Sequence, residues 1–208
     1  IHDLAMADEA DVLHQWQGLG YYSRARNLHK AARVMEERYG ASMPQTVAEV
    51  KALPGIGEYT AGAICSMAFG QKEAAIDGNV LRVYARLYDV EEDILKSAGR
   101  KAIQKLVEDT LPDRAGDFNE ALMDLGADIC IPKHPRCADC PLRSFCEAVK
   151  QGKEDILPIR TKKKPQVELA AACGICIQEG KVLLHKRPKT GMLASMWEFP
   201  MALSLATE

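Results

Sequence analysis

The chain has 208 residues, of which 47% are hydrophobic and 27% charged, and its formal net charge is −2. These values are typical of a globular protein with one core, or with one domain and part of another. Such a balanced charge excludes a protein that coats polyanions indiscriminately, so contact with nucleic acid must depend on local basic residues. Because no run of about 18 apolar residues and no secretory signal is present, we expect a cytoplasmic protein without a membrane-spanning segment.

Apolar side chains recur with helical spacing between residues 9 and 150. The first long helix is predicted to begin with Ser23 as its cap and to end at Gly40. Its apolar face consists of Leu28, Ala31, Ala32, Met35 and Tyr39. A short helix capped by Thr46 follows. Further helices are predicted at about 58–69, 79–88, 98–109 and 117–128.

The composition changes after residue 150. Residues 151–166, QGKEDILPIRTKKKPQ, are predicted to form an exposed linker. Two strands are expected beyond it, around the turn at Glu179-Gly180. Cys173 and Cys176 lie in this strand-like stretch and Cys65 lies in an apolar helical run, so we expect these thiols to pack in a core rather than to carry redox chemistry.

Four cysteines lie close together in CIPKHPRCADCPLRSFC, residues 130–146, with the spacing C-x6-C-x2-C-x5-C. A chain without secretory features keeps its thiols reduced, so a metal is expected here rather than disulfides. Zinc sites of four cysteines usually combine two close pairs, whereas only Cys137 and Cys140 form one here. The compact loop favours an iron–sulfur cluster. Zinc and unligated thiols remain the alternatives.

The segment Leu53-Pro54-Gly55-Ile56-Gly57 joins two predicted helices through a tight turn. Because the two glycines carry no side chain, peptide N–H groups and the start of the next helix are able to face an anion such as a DNA phosphate. Such a hairpin holds the DNA backbone without reading its sequence. An ordinary helix–helix turn is the alternative.

Asp77 lies twenty residues after Gly57, between an apolar run and the next predicted helix. Taken by itself, it is best interpreted as a helix N-cap. The order of glycine hairpin, aspartate and four-cysteine loop, however, resembles the helix-hairpin-helix DNA glycosylases, in which a Gly/Pro-rich loop precedes a catalytic Asp.

Within that superfamily the sequence resembles the adenine DNA glycosylases, the MutY family. The segments that carry the resemblance are GLGYYSRARNLHKAA (18–32), LPGIGEYTAGAI (53–64), IDGNVLRVYARL (76–87), FNEALMDLGADIC (118–130), the cysteine loop and GMLASMWEFP (191–200). The resemblance implies a mainly α fold, with a helix-hairpin-helix glycosylase domain at 1–150 that carries the cluster loop. The start of an α+β MutT-like (Nudix-fold) domain would follow at 167–208.

The resemblance implies a monomeric enzyme that flips adenine out of double-stranded DNA where it is mispaired with 8-oxoguanine or guanine, and cuts its N-glycosidic bond. The implied [4Fe–4S] cluster would be bound by Cys130, Cys137, Cys140 and Cys146. Basic residues of its loop would face the DNA backbone, namely Lys133, His134, Arg136 and Arg143. Gly55, Ile56 and Gly57 would bind a phosphate.

Departure of adenine leaves a cationic sugar, so a fixed carboxylate stabilises the transition state. The resemblance gives this role to Asp77, places Tyr59 beside the reacting sugar and makes Tyr21 the ring that enters the base stack. Endonuclease III-like enzymes carry a nucleophilic Lys at the position of Tyr59. The chain is therefore predicted to be a monofunctional glycosylase without a strand-cleaving step.

Two parts of the family pattern are missing from these 208 residues. The general acid, a Glu in a Ser-Glu-(apolar)-Met-Leu-Gln-Gln-Thr helix upstream of GLGYY, is not found, so we expect a sequence truncated at both ends and nearly inactive by itself. Residues 167–208 also lack the glutamate-rich Nudix signature, so nucleotide hydrolysis is not expected. A plain β-rich appendage is the alternative for this segment.

Other functional classes stay open on the residues alone. An endonuclease III-like glycosylase shares the hairpin and the cysteine loop, and a DNA-binding module would use both without chemistry. A metal-stabilised helical scaffold unrelated to DNA is the third alternative. Salt-sensitive DNA binding excludes the scaffold.

Overall fold

The computed structural model describes residues 1–161, 168–191 and 193–205, which form nine α-helices followed by six short strands. The helices are α1 (His2–Met6), α2 (Glu9–Gln15), α3 (Tyr22–Tyr39), α4 (Val47–Ala52), α5 (Glu58–Ala63), α6 (Gly78–Leu87), α7 (Ser97–Thr110), α8 (Ala115–Asp124) and α9 (Glu147–Gln151). The strands are β1 (Leu169–Cys173), β2 (Ile177–Gln178), β3 (Lys181–Val182), β4 (His185–Lys186), β5 (Trp197–Glu198) and β6 (Met201–Leu205). The prediction of a mainly helical fold is confirmed.

Helix α3 begins one residue earlier than its predicted cap. Tyr22 is its first residue and Tyr21 occupies the N-cap position with a left-handed backbone, φ 45°, so the prediction that Ser23 caps it is wrong. The chain turns into the helix through backbone conformation, and no side chain caps this end. Gly40 ends the helix in the left-handed conformation, φ 57°, as predicted. Leu28, predicted to be on the buried face, is 47% exposed.

Helix α6 lies at the centre of the largest apolar cluster. Its buried residues pack with those of the 90–94 turn, α7 and α8; the cluster comprises Val80, Leu81, Val83, Tyr84, Ala85, Val90, Ile94, Ile103, Val107 and Leu122. Every residue of α6 from Val80 to Arg86 is buried, which is typical of a helix inside a core. Because α6 is buried in this cluster, the residues at its two ends are held in fixed positions.

The α5 and α8 helices each continue into one π-helical turn, at Ile64–Ala68 and Leu125–Ile129. Buried Asn119 on α8 joins the first of these turns to the segment before α6. Its Oδ1 accepts a hydrogen bond from the N–H of Ala75 at 3.1 Å, and its Nδ2 donates to Ser66 Oγ at 2.9 Å and to the carbonyl of Glu73 at 2.8 Å. The amide satisfies buried polar groups that would otherwise cost free energy.

The segment after α9, which was predicted to be an exposed linker, contacts the helices through a few residues. Leu157 is only 2% exposed, and its carbonyl accepts a hydrogen bond from Arg86 Nε at 2.9 Å. The N–H of Ile94 donates to the carbonyl of Ile159 at 3.1 Å. A buried side chain and backbone hydrogen bonds attach this part to the helices, while most of residues 151–161 are exposed. The linker role stays a prediction. Residues 162–167 lie outside the described residues.

The described strands form three two-stranded antiparallel ladders: β1 with β6, β2 with β3, and β4 with β5. The predicted turn at Glu179-Gly180 connects β2 and β3. Cys65 is buried as predicted, but Cys173 and Cys176 are exposed, because no further layer of the described chain covers these strands. The MutT-like identity of this segment stays a prediction. Within the described ranges, no helix is both long and apolar enough to cross a bilayer.

Replacing Asn119 with alanine is expected to lower the free energy of unfolding by about 2 kcal/mol or more, because each buried polar group left unpaired costs about 1–3 kcal/mol. Urea unfolding followed by circular dichroism measures the change. Gln104→Ala is the control, since the exposed Gln104 side chain contacts Glu108 on the surface of α7. Equal unfolding midpoints for Asn119→Ala and Gln104→Ala would contradict the bridging role of Asn119.

Candidate functional site

The glycine hairpin consists of α4, the turn 53–57 and α5. Thr46 Oγ1 accepts a hydrogen bond from the N–H of Glu49 at 3.3 Å, so the predicted cap of α4 is confirmed. Gly55 has φ 81°, and a Cβ there would lie 2.6 Å from the Cβ of Asn27 on α3. Only glycine fits this contact without displacing α3, which explains why the turn carries it.

The start of α5 faces outward from the hairpin. Gly57 is its exposed N-cap residue, and no side chain caps this end. The first N–H groups of a helix have no partner inside the helix, so here they are left for an external acceptor. Lys51 and Glu58 form an ion pair beside this end, Nζ to Oε1 2.5 Å, and that contact lowers the pKa of Glu58.

Asp77 caps α6. Its Oδ1 accepts hydrogen bonds from the N–H groups of Asn79 and Val80, both at 2.8 Å, and its Oδ2 accepts one from Asn79 Nδ2 at 3.0 Å. The side chain is half-buried. The N-cap interpretation is confirmed, and the same three hydrogen bonds hold the carboxylate in one orientation. The catalytic role stays a prediction.

A chain of hydrogen bonds connects Asp77 with the cysteine loop. Asn79 Oδ1 accepts from Arg82 Nη2 at 2.8 Å, Arg82 Nη2 also donates to the carbonyl of Gly126 at 2.6 Å, and Arg82 Nε donates to the carbonyl of Cys130 at 2.7 Å. Burial lowers the pKa of the Arg82 guanidinium, and the Asp77 carboxylate opposes this shift. Arg82 thus fixes the start of the loop against α6.

Arg86, one turn further along α6, is 2% exposed. Its guanidinium donates to the carbonyls of Ile131 at 2.7 Å and Pro132 at 3.1 Å, while Nε binds the carbonyl of Leu157. Nη1 lies 3.4 Å from Cys130 Sγ. A guanidinium offers five N–H donors in a planar fork, which suits it to hold several carbonyls at once.

The four cysteines of 130–146 line one cavity, defined here as the cysteine cavity, together with apolar side chains that include Leu125, Leu142 and Val149. All four are free thiols. Within the ranges described, no three His, Cys, Asp or Glu side chains are already arranged to hold a metal ion. Four soft sulfur donors around one apolar space nevertheless fit an iron–sulfur cluster or a zinc ion.

Two of the four thiols in the cysteine cavity have raised pKa values. Burial raises the pKa of Cys137 and of Cys146, and the neighbouring Glu154 carboxylate raises that of Cys137 further. Since metal ligands must be thiolates, binding has to displace these protons. Metal binding at this cavity is therefore favoured as the pH rises.

Tyr59 lies in the first turn of α5 and is 40% exposed. Its hydroxyl donates to Met123 Sδ on α8 at 3.6 Å. Tyr59 also lines a groove of about 750 Å³ between the hairpin and α7, whose wall includes Ile76, the neighbour of Asp77. No hydrogen bond joins Tyr59 to Asp77 in the part of the chain that the structure describes.

Tyr21 projects from the protein with 81% of its surface exposed. Its left-handed backbone is unusual for a bulky residue and is held between Gly20, whose carbonyl accepts from Trp16 Nε1 at 2.9 Å, and the start of α3. Positive-φ aromatic residues of this kind are concentrated at functional sites. The exposure is compatible with the predicted insertion into a base stack.

The basic residues of the cysteine loop lie on its surface. Lys133, Arg136 and Arg143 are all exposed. Arg136 Nη2 donates to the carbonyl of Asp128 at 2.5 Å, and the N–H of His134 donates to Asp155 Oδ1 at 3.1 Å. Their predicted contacts with DNA stay predictions.

Arg82, Arg86 and Asn119 were missed in the sequence analysis. The two arginines stand four residues apart in VLRVYARL, a run that is otherwise apolar, and that pattern places both charges on a buried face. The arginines bind backbone carbonyls. Because every residue has such a carbonyl, the sequence does not show which ones are bound. The pattern thus reveals buried charges without revealing what they bind.

Comparison with protein families matches residues 1–109 to HhH-GPD, described as a superfamily of base excision DNA repair proteins. Among curated proteins, the adenine DNA glycosylase of Mus musculus is 36% identical, with 96% of this chain and 48% of that protein aligned. That of Homo sapiens is 34% identical over 96% of this chain and 45% of its own length. The chain thus spans about half the length of the curated relatives it matches.

The fold also resembles solved glycosylase structures. A thermostable thymine-DNA glycosylase superposes with a TM-score of 0.64 at 30% identity, covering 72% of this chain and 70% of the other. A trapped endonuclease III–DNA covalent intermediate gives a TM-score of 0.61 at 26% identity, covering 73% and 70%. The predicted resemblance to helix-hairpin-helix glycosylases is confirmed by these matches.

Arg86→Met is expected to release the cysteine loop, because methionine preserves part of the side-chain volume but donates no hydrogen bond. The free energy of unfolding should fall by about 3 kcal/mol, since hydrogen bonds to charged groups are each worth about 1.5–3 kcal/mol. Limited trypsin digestion, which would cut after Lys133 and Arg136 sooner in the variant, measures the release. Arg100→Met on the exposed face of α7 is the control. Equal digestion rates for the wild type and Arg86→Met would exclude the clamp.

Proposed function

Because the chain belongs to the HhH-GPD superfamily of base excision DNA repair proteins, we propose that it acts as an adenine DNA glycosylase. The proposed substrate is double-stranded DNA in which adenine is paired with 8-oxoguanine or guanine. The main support for this proposal is the similarity to adenine DNA glycosylases over 96% of the chain. The proposed protein is an intracellular monomer that acts on chromosomal DNA.

Asp77 is the proposed carboxylate beside the reacting sugar. As adenine leaves, positive charge develops on the sugar ring, and a carboxylate that is already oriented stabilises it without reorganisation. The hydrogen bonds from Asn79 and Val80 supply that orientation before DNA binds. Asp77 would then stabilise or briefly capture the cation until water completes the hydrolysis.

Tyr59 is proposed to hydrogen-bond the sugar region. A lyase reaction needs an amine that forms a Schiff base with the opened sugar. A phenol at this position supplies none. The chain is therefore proposed to be monofunctional, and this difference disfavours an endonuclease III-like activity.

The hairpin Gly55–Gly57 and the exposed residues Lys133, Arg136 and Arg143 are proposed to bind DNA phosphates, and Tyr21 to fill the space left in the base stack. Insertion of a ring offsets the cost of unpairing a base, a few kcal/mol in general. Together these contacts would hold a kinked duplex against α6. Residues 167–208 are proposed to begin the MutT-like domain that recognises 8-oxoguanine.

Cys130, Cys137, Cys140 and Cys146 are proposed to hold a [4Fe–4S] cluster. When bound, such a cluster cross-links the four thiolates and gives the loop one fixed shape. Arg82 and Arg86 hold the backbone of the same loop from α6. The loop's basic residues would thereby reach the DNA in a constant position.

The proposed function is tested with a duplex containing one adenine opposite 8-oxoguanine, using adenine release under single-turnover conditions and binding by fluorescence anisotropy. We expect this chain to bind this duplex more tightly than one with a matched thymine. Release of adenine without strand cleavage is expected from a protein that also carries the predicted general-acid Glu helix. Equal affinity for both duplexes would exclude the proposal. Strand cleavage that borohydride traps as a covalent adduct would instead support the endonuclease III-like alternative.

In a protein that also carries the predicted general-acid Glu helix, Asp77→Asn is expected to reduce the rate of adenine release by about a hundredfold or more, the scale of losing one preorganised electrostatic group. Asparagine is as good an N-cap as aspartate, so stability and mismatch affinity should change little. Asp109→Asn, an exposed carboxylate on α7, is the matched control. Release that survives in Asp77→Asn would assign the chemistry to another carboxylate.

Lys133→Gln is expected to weaken binding to all duplexes alike, because a phosphate contact carries no sequence information. Each lost contact reduces the slope of log affinity against log salt by about 1. Lys105→Gln on α7, for which no DNA contact is proposed, should keep the wild-type slope. An unchanged slope in Lys133→Gln, measured by anisotropy over a salt series, would remove Lys133 from the interface.

A further inference from the structure

Glu154 places a carboxylate in the wall of the cysteine cavity. It is the one acidic side chain among the described residues that line this space. Its Oε2 is buried and has no hydrogen-bond partner in the described part of the chain. A buried carboxylate oxygen without a hydrogen-bond partner lowers the stability of the folded state. The packing of the helices therefore does not explain why a glutamate lies here.

The neighbouring cations do not neutralise Glu154. Lys153, the adjacent residue, is engaged elsewhere, with its Nζ 2.8 Å from Asp89 Oδ2 and 2.6 Å from Glu91 Oε1. Arg86 and Arg143 line the same cavity. The N–H groups of Arg86 are directed to backbone carbonyls and to Cys130 Sγ, and Arg143 is exposed and forms no ion pair with Glu154 among the described residues. The negative charge of Glu154 therefore acts on whatever occupies the cavity.

We propose that Glu154 sets the reduction potential of the cluster bound in the cysteine cavity by favouring its oxidised state. This inference rests on the proposed [4Fe–4S] cluster. Oxidation removes one electron from the cluster, which an electrode accepts, and no bond to the protein forms or breaks. A carboxylate in an apolar surrounding stabilises the less negative, oxidised form over the reduced form.

Glu154 acts here through the cluster and not on DNA. Cluster type, net charge, hydrogen bonds to sulfur and exposure to solvent determine such potentials. The structure supplies two of these influences with opposite sign, since the guanidinium of Arg86 next to Cys130 Sγ favours the reduced, more negative form. The carboxylate of Glu154 counterbalances it.

The test compares Glu154→Gln with Asp139→Asn in the iron-loaded chain. Asp139 lies between Cys137 and Cys140 but is exposed, so its charge is screened by water. Protein-film voltammetry gives the midpoint potential, and iron and sulfide analysis gives the cluster content. We expect Glu154→Gln to shift the potential to more positive values and Asp139→Asn to leave it close to that of the wild type.

Three results from Glu154→Gln and Asp139→Asn would overturn the inference alone, and one result would overturn the proposed cofactor and the inference with it. The inference fails if loaded Glu154→Gln has the wild-type potential, if its potential becomes more negative, or if Asp139→Asn shifts it equally. A wild-type chain without iron and sulfide would instead remove the cluster itself. Should Glu154→Gln retain no iron, Glu154→Asp takes its place. Its carboxylate is one methylene further back, so a smaller positive shift supports the inference and an unchanged potential overturns it.

Discussion

Two buried guanidinium groups on α6 hold the polypeptide that carries the cysteines. Arg82 and Arg86 together donate to five backbone carbonyls, those of Gly126, Cys130, Ile131, Pro132 and Leu157. Burying an isolated charge is very costly, whereas a charge whose donors are all engaged is tolerated. Neither arginine can leave its carbonyls without leaving an unpaired charge in the core. Helix α6, the cysteine loop and the segment after α9 therefore form one structural unit.

Because the two arginines hold the cysteine loop against α6, this helix connects the two ends of the candidate site, Asp77 and the cysteine cavity. Helix α6 has 10 residues, and a rise of about 1.5 Å per residue makes it about 15 Å long. Asp77 caps one end, and Arg86 lies against the cysteine cavity near the other. Because chemistry needs contact distances, a group in the cysteine cavity is too far from Asp77 to react there. Such a group would influence the candidate site through the position of the cysteine loop.

The sequence predicted features that depend on local chemistry and missed those that depend on distant contacts. The caps at Thr46 and Asp77 and the end of α3 at Gly40 are properties of a few neighbouring residues, and the structure contains all three. Ser23 failed as a cap because the conformation of Tyr21 starts the helix two residues earlier than a cap at Ser23 would. The burial of Leu157 within the predicted linker was missed because Leu157 contacts Arg86, 71 residues earlier in the chain. A contact between residues so far apart in the chain cannot be predicted from a pattern of adjacent residues.

Asp77 shows how one set of hydrogen bonds serves both stability and the proposed chemistry. A carboxylate can accept about four hydrogen bonds, and the N–H groups of Asn79 and Val80 with the Asn79 amide occupy three of those positions. The bonds that stabilise the first turn of α6 therefore also fix the direction of the remaining lone pair. Fixing it before the substrate arrives avoids the cost of reorienting a flexible carboxylate as charge develops on the sugar. The N-cap interpretation and the catalytic proposal are thus two consequences of one geometry, so finding the cap does not weaken the catalytic assignment.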